Sequence, residues 1–171
     1  MRKINFAEPN ITKIEKAFLN KAINSKWISK GSYVNLFEEK IAKLMGSKYS
    51  LTVNNGTSAF LLILLSLGIK KGDEIIVPSL CYVSPIHMIK LMGATPVVVD
   101  VEIDTFQMNP DQIKKKITKK TKAILAIHNF GGISNIKKIE NISLKNNIHL
   151  IEDISETLLS KLDGKYIGSA K

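Results

Sequence analysis

Residues 51–105 read LTVNNGTSAFLLILLSLGIKKGDEIIVPSLCYVSPIHMIKLMGATPVVVDVEIDT, and this stretch decides the fold. A small-residue turn, an apolar helix, a strand, an aromatic-bearing turn, a second helix and a second strand follow one another without a break. Residues 74–77 have the continuous apolar character of a strand covered on both faces, and Pro78 breaks it. Parallel neighbours need crossover helices, and their turns gather at the C-terminal edge of the sheet, where ligands bind.

The alternation continues outward on both sides. Ahead of it, the spacing of Ile11, Ile14, Phe18, Ala22 and Ile23 predicts a helix over 10–24, followed by a turn around Trp27. A second helix is expected over 34–45 with Gly46 as its stop, then a strand over 49–53 and a helix over 57–67. Further along, helices are expected over 84–92, 110–117 and 135–146. Strands are expected over 96–101, 123–127 and 149–152, with a hairpin turn at Gly164–Lys165. Five strands alternating with helices predict an α/β fold built on an open, mostly parallel sheet. The order of its strands does not follow from the sequence.

At 171 residues the chain suits one core and is marginal for two. A single cysteine, Cys81, excludes an internal disulfide framework and fits a reducing compartment. The start MRKINFAEPN has no apolar run behind it, so no signal peptide is expected, and no apolar run approaches the ~20 residues of a membrane span. A cytoplasmic protein without a membrane partner is the expectation. The formal net charge is +10, yet Arg2 is the only arginine. Nucleic-acid surfaces use arginine for bidentate contacts and aromatics for stacking, whereas these lysines fall on helix surfaces and turns. No nucleic-acid partner is expected, and no metal.

Three places carry candidate chemistry. Asn55-Gly56-Thr57-Ser58 lies between a strand and an apolar helix. It reads either as a capped turn or as a phosphate cradle, since glycine admits a close ligand and helix N–H groups point at it. Neither a GxGxxG nor a P-loop motif is present. Tyr82 follows a strand, and either packs at the surface or stacks on a flat heterocycle. Glu152-Asp153 ends a strand, where Asp153 is either a helix cap or the partner of a protonated ring nitrogen. His128 and Trp27 read as structural residues.

In this order the motifs resemble the DegT/DnrJ/EryC1/StrS family of pyridoxal-phosphate (PLP) sugar aminotransferases. The resemblance rests on WISKG from Trp27, NGTSA from Asn55, GDEIIVPS from Gly72, GATPVVVDVEIDTF from Gly93, TKAILAIH, IEDISE and GKYIGS. It implies the large domain of the fold-type I, aspartate aminotransferase-like PLP transferases, with an incomplete sheet. Residues 1–48 would form an N-terminal helical segment and 49–171 part of the cofactor-binding domain.

The resemblance also implies roles. Gly56, Thr57 and Ser58 would bind the PLP phosphate, Tyr82 would stack on the pyridine ring, and Asp153 would pair with its nitrogen, maintaining the electron sink. Glu156 stands where the family usually has glutamine or histidine near the cofactor's phenolic oxygen, and an anionic partner there is unfavourable. The family's Schiff-base lysine and small C-terminal domain follow GKYIGS, so the chain reads as an N-terminal fragment with no catalytic lysine of its own, inactive alone. The implied reaction moves an amino group from an amino acid, glutamate above all, to a keto-sugar nucleotide in surface-polysaccharide or amino-sugar biosynthesis, by a homodimer. Alternatives are a non-catalytic remnant or partner subunit of a lysine-bearing chain, and a PLP-dependent sugar dehydratase.

Overall fold

Strand β3 (Thr121–Ile127) is buried along nearly its whole length because both of its faces are covered. Beside it lie β1 (Glu74–Pro78) and β4 (His149–Asp153), and β2 (Thr95–Val99) pairs with the far side of β1. All three pairings are parallel, in the order β2-β1-β3-β4. Pro96 is tolerated within β2 because that strand is an edge. This computed structural model describes residues 8–169. The basic N-terminal start, Arg2 and Lys171 lie outside the described residues.

The pleat sorts the apolar side chains into two cores. Ile75, Val77, Ala123, Leu125 and Ile151 face α3 (Gly56–Ser66) and α4 (Ser84–Leu91), meeting Phe60, Leu64 and Ile89. Ile76, Ile124 and Ala126 face α5 (Pro110–Lys116) and α6 (Ile136–Asn146), meeting Ile113, Ile139 and Ile142. Each fully buried aliphatic side chain is worth about 1.5–3 kcal/mol of transfer free energy, so the alternating β1 and β3 runs fix which side faces which helix layer.

The chain leaves β1 through α4 toward β2, but leaves β3 through α6 toward β4. These departures run in opposite directions and through opposite helix layers. A crevice therefore opens beyond the C-terminal ends of β1 and β3, the topological switch point where ligands bind in open α/β sheets.

The strand expected over 49–53 does not form. An isolated extended segment gains nothing without a partner to receive its ladder bonds. Here the Thr52 N–H and hydroxyl donate instead to the Glu38 carboxylate, at 2.8 and 2.6 Å. That bond ties the segment to α2 (Ser32–Met45). A hairpin does form, with its turn one residue earlier than expected: β5 (Lys161–Leu162) pairs antiparallel with β6 (Lys165–Tyr166) across Asp163-Gly164, both at positive φ as a tight two-residue turn requires.

Helix α1 (Lys13–Asn24) starts with a full capping box between Thr12 and Glu15 but buries no residue in the core. Trp27 is exposed rather than packed in the core. Its indole N–H donates to the Lys30 carbonyl and its ring lies on Gly31, where a Cβ would clash with Cδ1.

Candidate functional site

The crevice at the switch point is a cavity of about 710 Å³. Gly56 and Thr57 form one wall, Tyr82 with Ser84 and Pro85 another, and Asp153 with Glu156 the side toward β4. His128 and Asn129, just beyond β3, line its floor. No lysine lines it among the described residues.

At the first wall, Asn55 caps α3: its Oδ1 accepts the Ser58 N–H at 2.8 Å. The cap consumes the Ser58 donor and leaves the Gly56 and Thr57 N–H groups as the free donors of the first turn. A Cβ on Gly56 would meet nothing within 4 Å. Glycine is therefore not demanded by crowding inside the protein, and its bare backbone faces open space. Ser58 is not among the cavity walls.

The turn that carries Tyr82 is fixed through its backbone. The Ser79 N–H donates to the Val99 carbonyl at 2.7 Å, and the Ser79 hydroxyl to Asp100 at 3.1 Å. Tyr82 itself is 78% exposed, so its ring stands at the cavity edge as a free aromatic face.

On the opposite side, the Asp153 Oδ1 accepts the Ser155 N–H at 3.0 Å as well as the Ser155 hydroxyl. The remaining acceptor capacity of that carboxylate lies on Oδ2. Burial first, and the Asp153 charge second, push the neighbouring Cys81 thiol above its ordinary value. Glu152, the preceding residue of β4, also lines the cavity. There it meets the buried His128, with 3.3 Å between Oε2 and Nε2. His128 Nδ1 accepts the Ser134 N–H at 3.0 Å, so the donor nitrogen is Nε2. The histidine is a buried structural link, in keeping with its sequence reading.

Glu156 receives the backbone N–H of Phe130. Phe130 has a positive φ of 55° and packs edge-to-face on Phe106, itself at 59°, with centroids 6.1 Å apart. Bulky residues in this region are strained, so Glu156 acts here as a latch on a strained turn. Spacing gave no sign of this role, nor of Gln107, Asn129 and Ser134, whose partners lie far away in the chain.

The sequence matches the DegT/DnrJ/EryC1/StrS aminotransferase family over residues 9–171. The chain belongs to this family. Among curated members it is 43% identical to a GDP-perosamine synthase of Escherichia coli O157:H7 over 170 residues, covering 99% of this chain and 47% of that protein. Solved relatives agree. A putative sugar aminotransferase of Streptococcus pneumoniae in its PMP form superposes with a TM-score of 0.93 at 29% identity, covering 98% of this chain and 46% of that one. An E. coli GDP-4-keto-6-deoxy-D-mannose-3-dehydratase with bound hydrated PLP gives 0.91 at 30%, covering 98% and 45%. The expected fold is thus the observed one, and the chain spans about half the length of the relatives it matches.

Proposed function

We propose that this family member provides the cofactor-cradling part of a PLP-dependent aminotransferase acting on a keto-sugar nucleotide. The observation that carries the reading is the convergence of Gly56 and Thr57, Tyr82, and Asp153 on one cavity. The volume of about 710 Å³ lies within the range of small-molecule sites. The free donors at the α3 N-terminus suit a dianionic phosphate, the exposed aromatic suits a flat ring, and the carboxylate suits a protonated ring nitrogen. These residues fit PLP.

When bound, PLP supplies the electron sink for amino-group transfer. The chain's own residues bind and orient it. Gly56 and Thr57 hold the phosphate by backbone N–H groups, with Ser58 one position further along the same turn. Tyr82 covers one face of the ring. Asp153, held in place by Ser155, keeps the ring nitrogen protonated through its charge. Glu156 supports the neighbouring turn and contributes no donor to an anionic oxygen. None of the described lysines reaches the cavity, so on this reading the reacting amine would come from outside the described residues.

The GDP-perosamine synthase relative supports a GDP-linked sugar as substrate and an amino-sugar nucleotide as product. Glutamate as donor, a cytoplasmic homodimer and a place in surface-polysaccharide biosynthesis complete the proposal. A sugar dehydratase is the second reading, favoured by the dehydratase among the solved relatives. A non-catalytic partner of a lysine-bearing chain is the third.

One assay separates them. The complete gene product is incubated with PLP, glutamate and GDP-4-keto-6-deoxy-D-mannose, and the nucleotide sugar is weighed by mass spectrometry. Replacement of the keto oxygen by an amine supports the aminotransferase. Loss of a hydroxyl supports the dehydratase, and an unchanged sugar overturns both enzymatic readings.

A further inference from the structure

Asn129 is buried to 6% exposure at the point where three connections meet. Its Nδ2 donates to the Leu80 carbonyl at 3.0 Å and to the Phe106 carbonyl at 3.1 Å. Two carbonyl acceptors on the same atom settle the orientation of the amide, because only the NH₂ end can serve both. Its backbone is held just as firmly. The Asn129 N–H donates to Gln107 Oε1 at 3.1 Å, and Gln107 Nε2 donates back to the Asn129 carbonyl at 2.9 Å. The next residue back, His128, donates its N–H to the Asp153 carbonyl at 3.1 Å.

These bonds form one continuous path from Asp153, through the end of β3, to the turn that carries Tyr82. Tyr82 is exposed and depends on that turn for its place. Ser79 anchors the start of the turn to β2, and Asn129 is the anchor nearer Tyr82.

Resting on the cofactor reading above, we infer that Asn129 is a positioning residue that sets the distance between the Tyr82 ring and the Asp153 carboxylate, and so the gap that accepts the cofactor ring. It touches the Leu80 and Phe106 backbones and acts through them. The α3 N-terminus lies outside this path, so phosphate recognition does not depend on Asn129. That separation distinguishes positioning from a general loss of structure.

The test uses the complete gene product with Asn129→Ser, which keeps one donor in a smaller volume, and Asn129→Leu, which removes both. PLP binding is measured by equilibrium dialysis, and the inhibition constant of inorganic phosphate against PLP binding is measured in parallel. Both variants are expected to bind PLP about tenfold more weakly, the loss that a displaced ring contact brings, while the phosphate constant stays unchanged. Unchanged PLP affinity in Asn129→Ser overturns the inference. Equal loss of both affinities in Asn129→Ser also overturns it, since that is the mark of a purely structural residue. If the unsubstituted protein fails to bind PLP, the cofactor reading itself falls and takes this inference with it.

Discussion

The His128 N–H donates to the Asp153 carbonyl at 3.1 Å, one step beyond the last paired residues of β3 and β4, Ile127 and Asp153. The parallel ladder therefore runs to its end just where the carboxylate leaves the sheet. Asp153 is held by its backbone on one side and by Ser155 on the other. Asp153→Asn keeps an Oδ1 that can accept the Ser155 N–H but removes the charge. The folded state should change by less than about 1 kcal/mol, while PLP affinity falls at least about tenfold. Thermal unfolding of the cofactor-free protein beside equilibrium dialysis checks the pair. A parallel loss of stability would assign Asp153 a structural role instead.

Cys81 gives an independent probe of the same corner. Burial and the Asp153 charge both disfavour its thiolate, and thiolate is the form that alkylates. Iodoacetamide should label Cys81 more slowly than a free cysteine at the same mildly alkaline pH. Asp153→Asn should speed the labelling without bringing it to the free rate, because burial is the larger cause. Cys81 is the sole cysteine of the 171-residue chain, so the mass of that chain reads the result directly.

The bond between Glu38 and Thr52 predicts an acid-sensitive tether ahead of the Asn55–Ser58 turn. The Thr52 hydroxyl, then its N–H, hold the Glu38 carboxyl below the ordinary carboxylate value. A folded value lowered in this way means the tether is fully present above the unfolded carboxylate value and is lost as pH falls through the folded one. Hydrogen exchange at residues 49–55 should accelerate over that acidic window. Glu38→Gln, which still offers an acceptor but does not titrate, should abolish the pH dependence. Exchange that stays pH-dependent in this variant, after correction for intrinsic rates, would refute the tether.

The outer edge of β4 pairs with no other strand among the described residues. A parallel edge flanked by an apolar core is prone to pair with another chain. The 171-residue chain expressed alone should therefore self-associate as its concentration rises in size-exclusion chromatography. A monomer that unfolds cooperatively would contradict this.

Much of the fold was legible because the signals were local. The continuous apolar runs of β1 and β3, Gly46 after α2 and Pro110 at the start of α5 each depend on a few neighbouring residues. Residues 49–53 have the local pattern of a strand but form none, because strand formation depends on a partner, which no local pattern reports. The position of the candidate site was legible as motifs at strand ends, since parallel topology carries those ends to one edge. The bonds of Asn129 to Leu80, of Gln107 to Asn129 and of Glu156 to Phe130 join residues 49, 22 and 26 apart. They rest on side-chain placement after folding, which spacing along the chain does not encode.

The central claim is that the cavity at the switch point holds PLP, and a crystal structure of the complete gene product grown with PLP tests it most directly. The account predicts the phosphate at the Gly56–Thr57 end of α3, the ring against Tyr82 and its nitrogen within hydrogen-bonding distance of Asp153. PLP bound elsewhere, or held in this cavity with its phosphate turned away from Gly56, would contradict it.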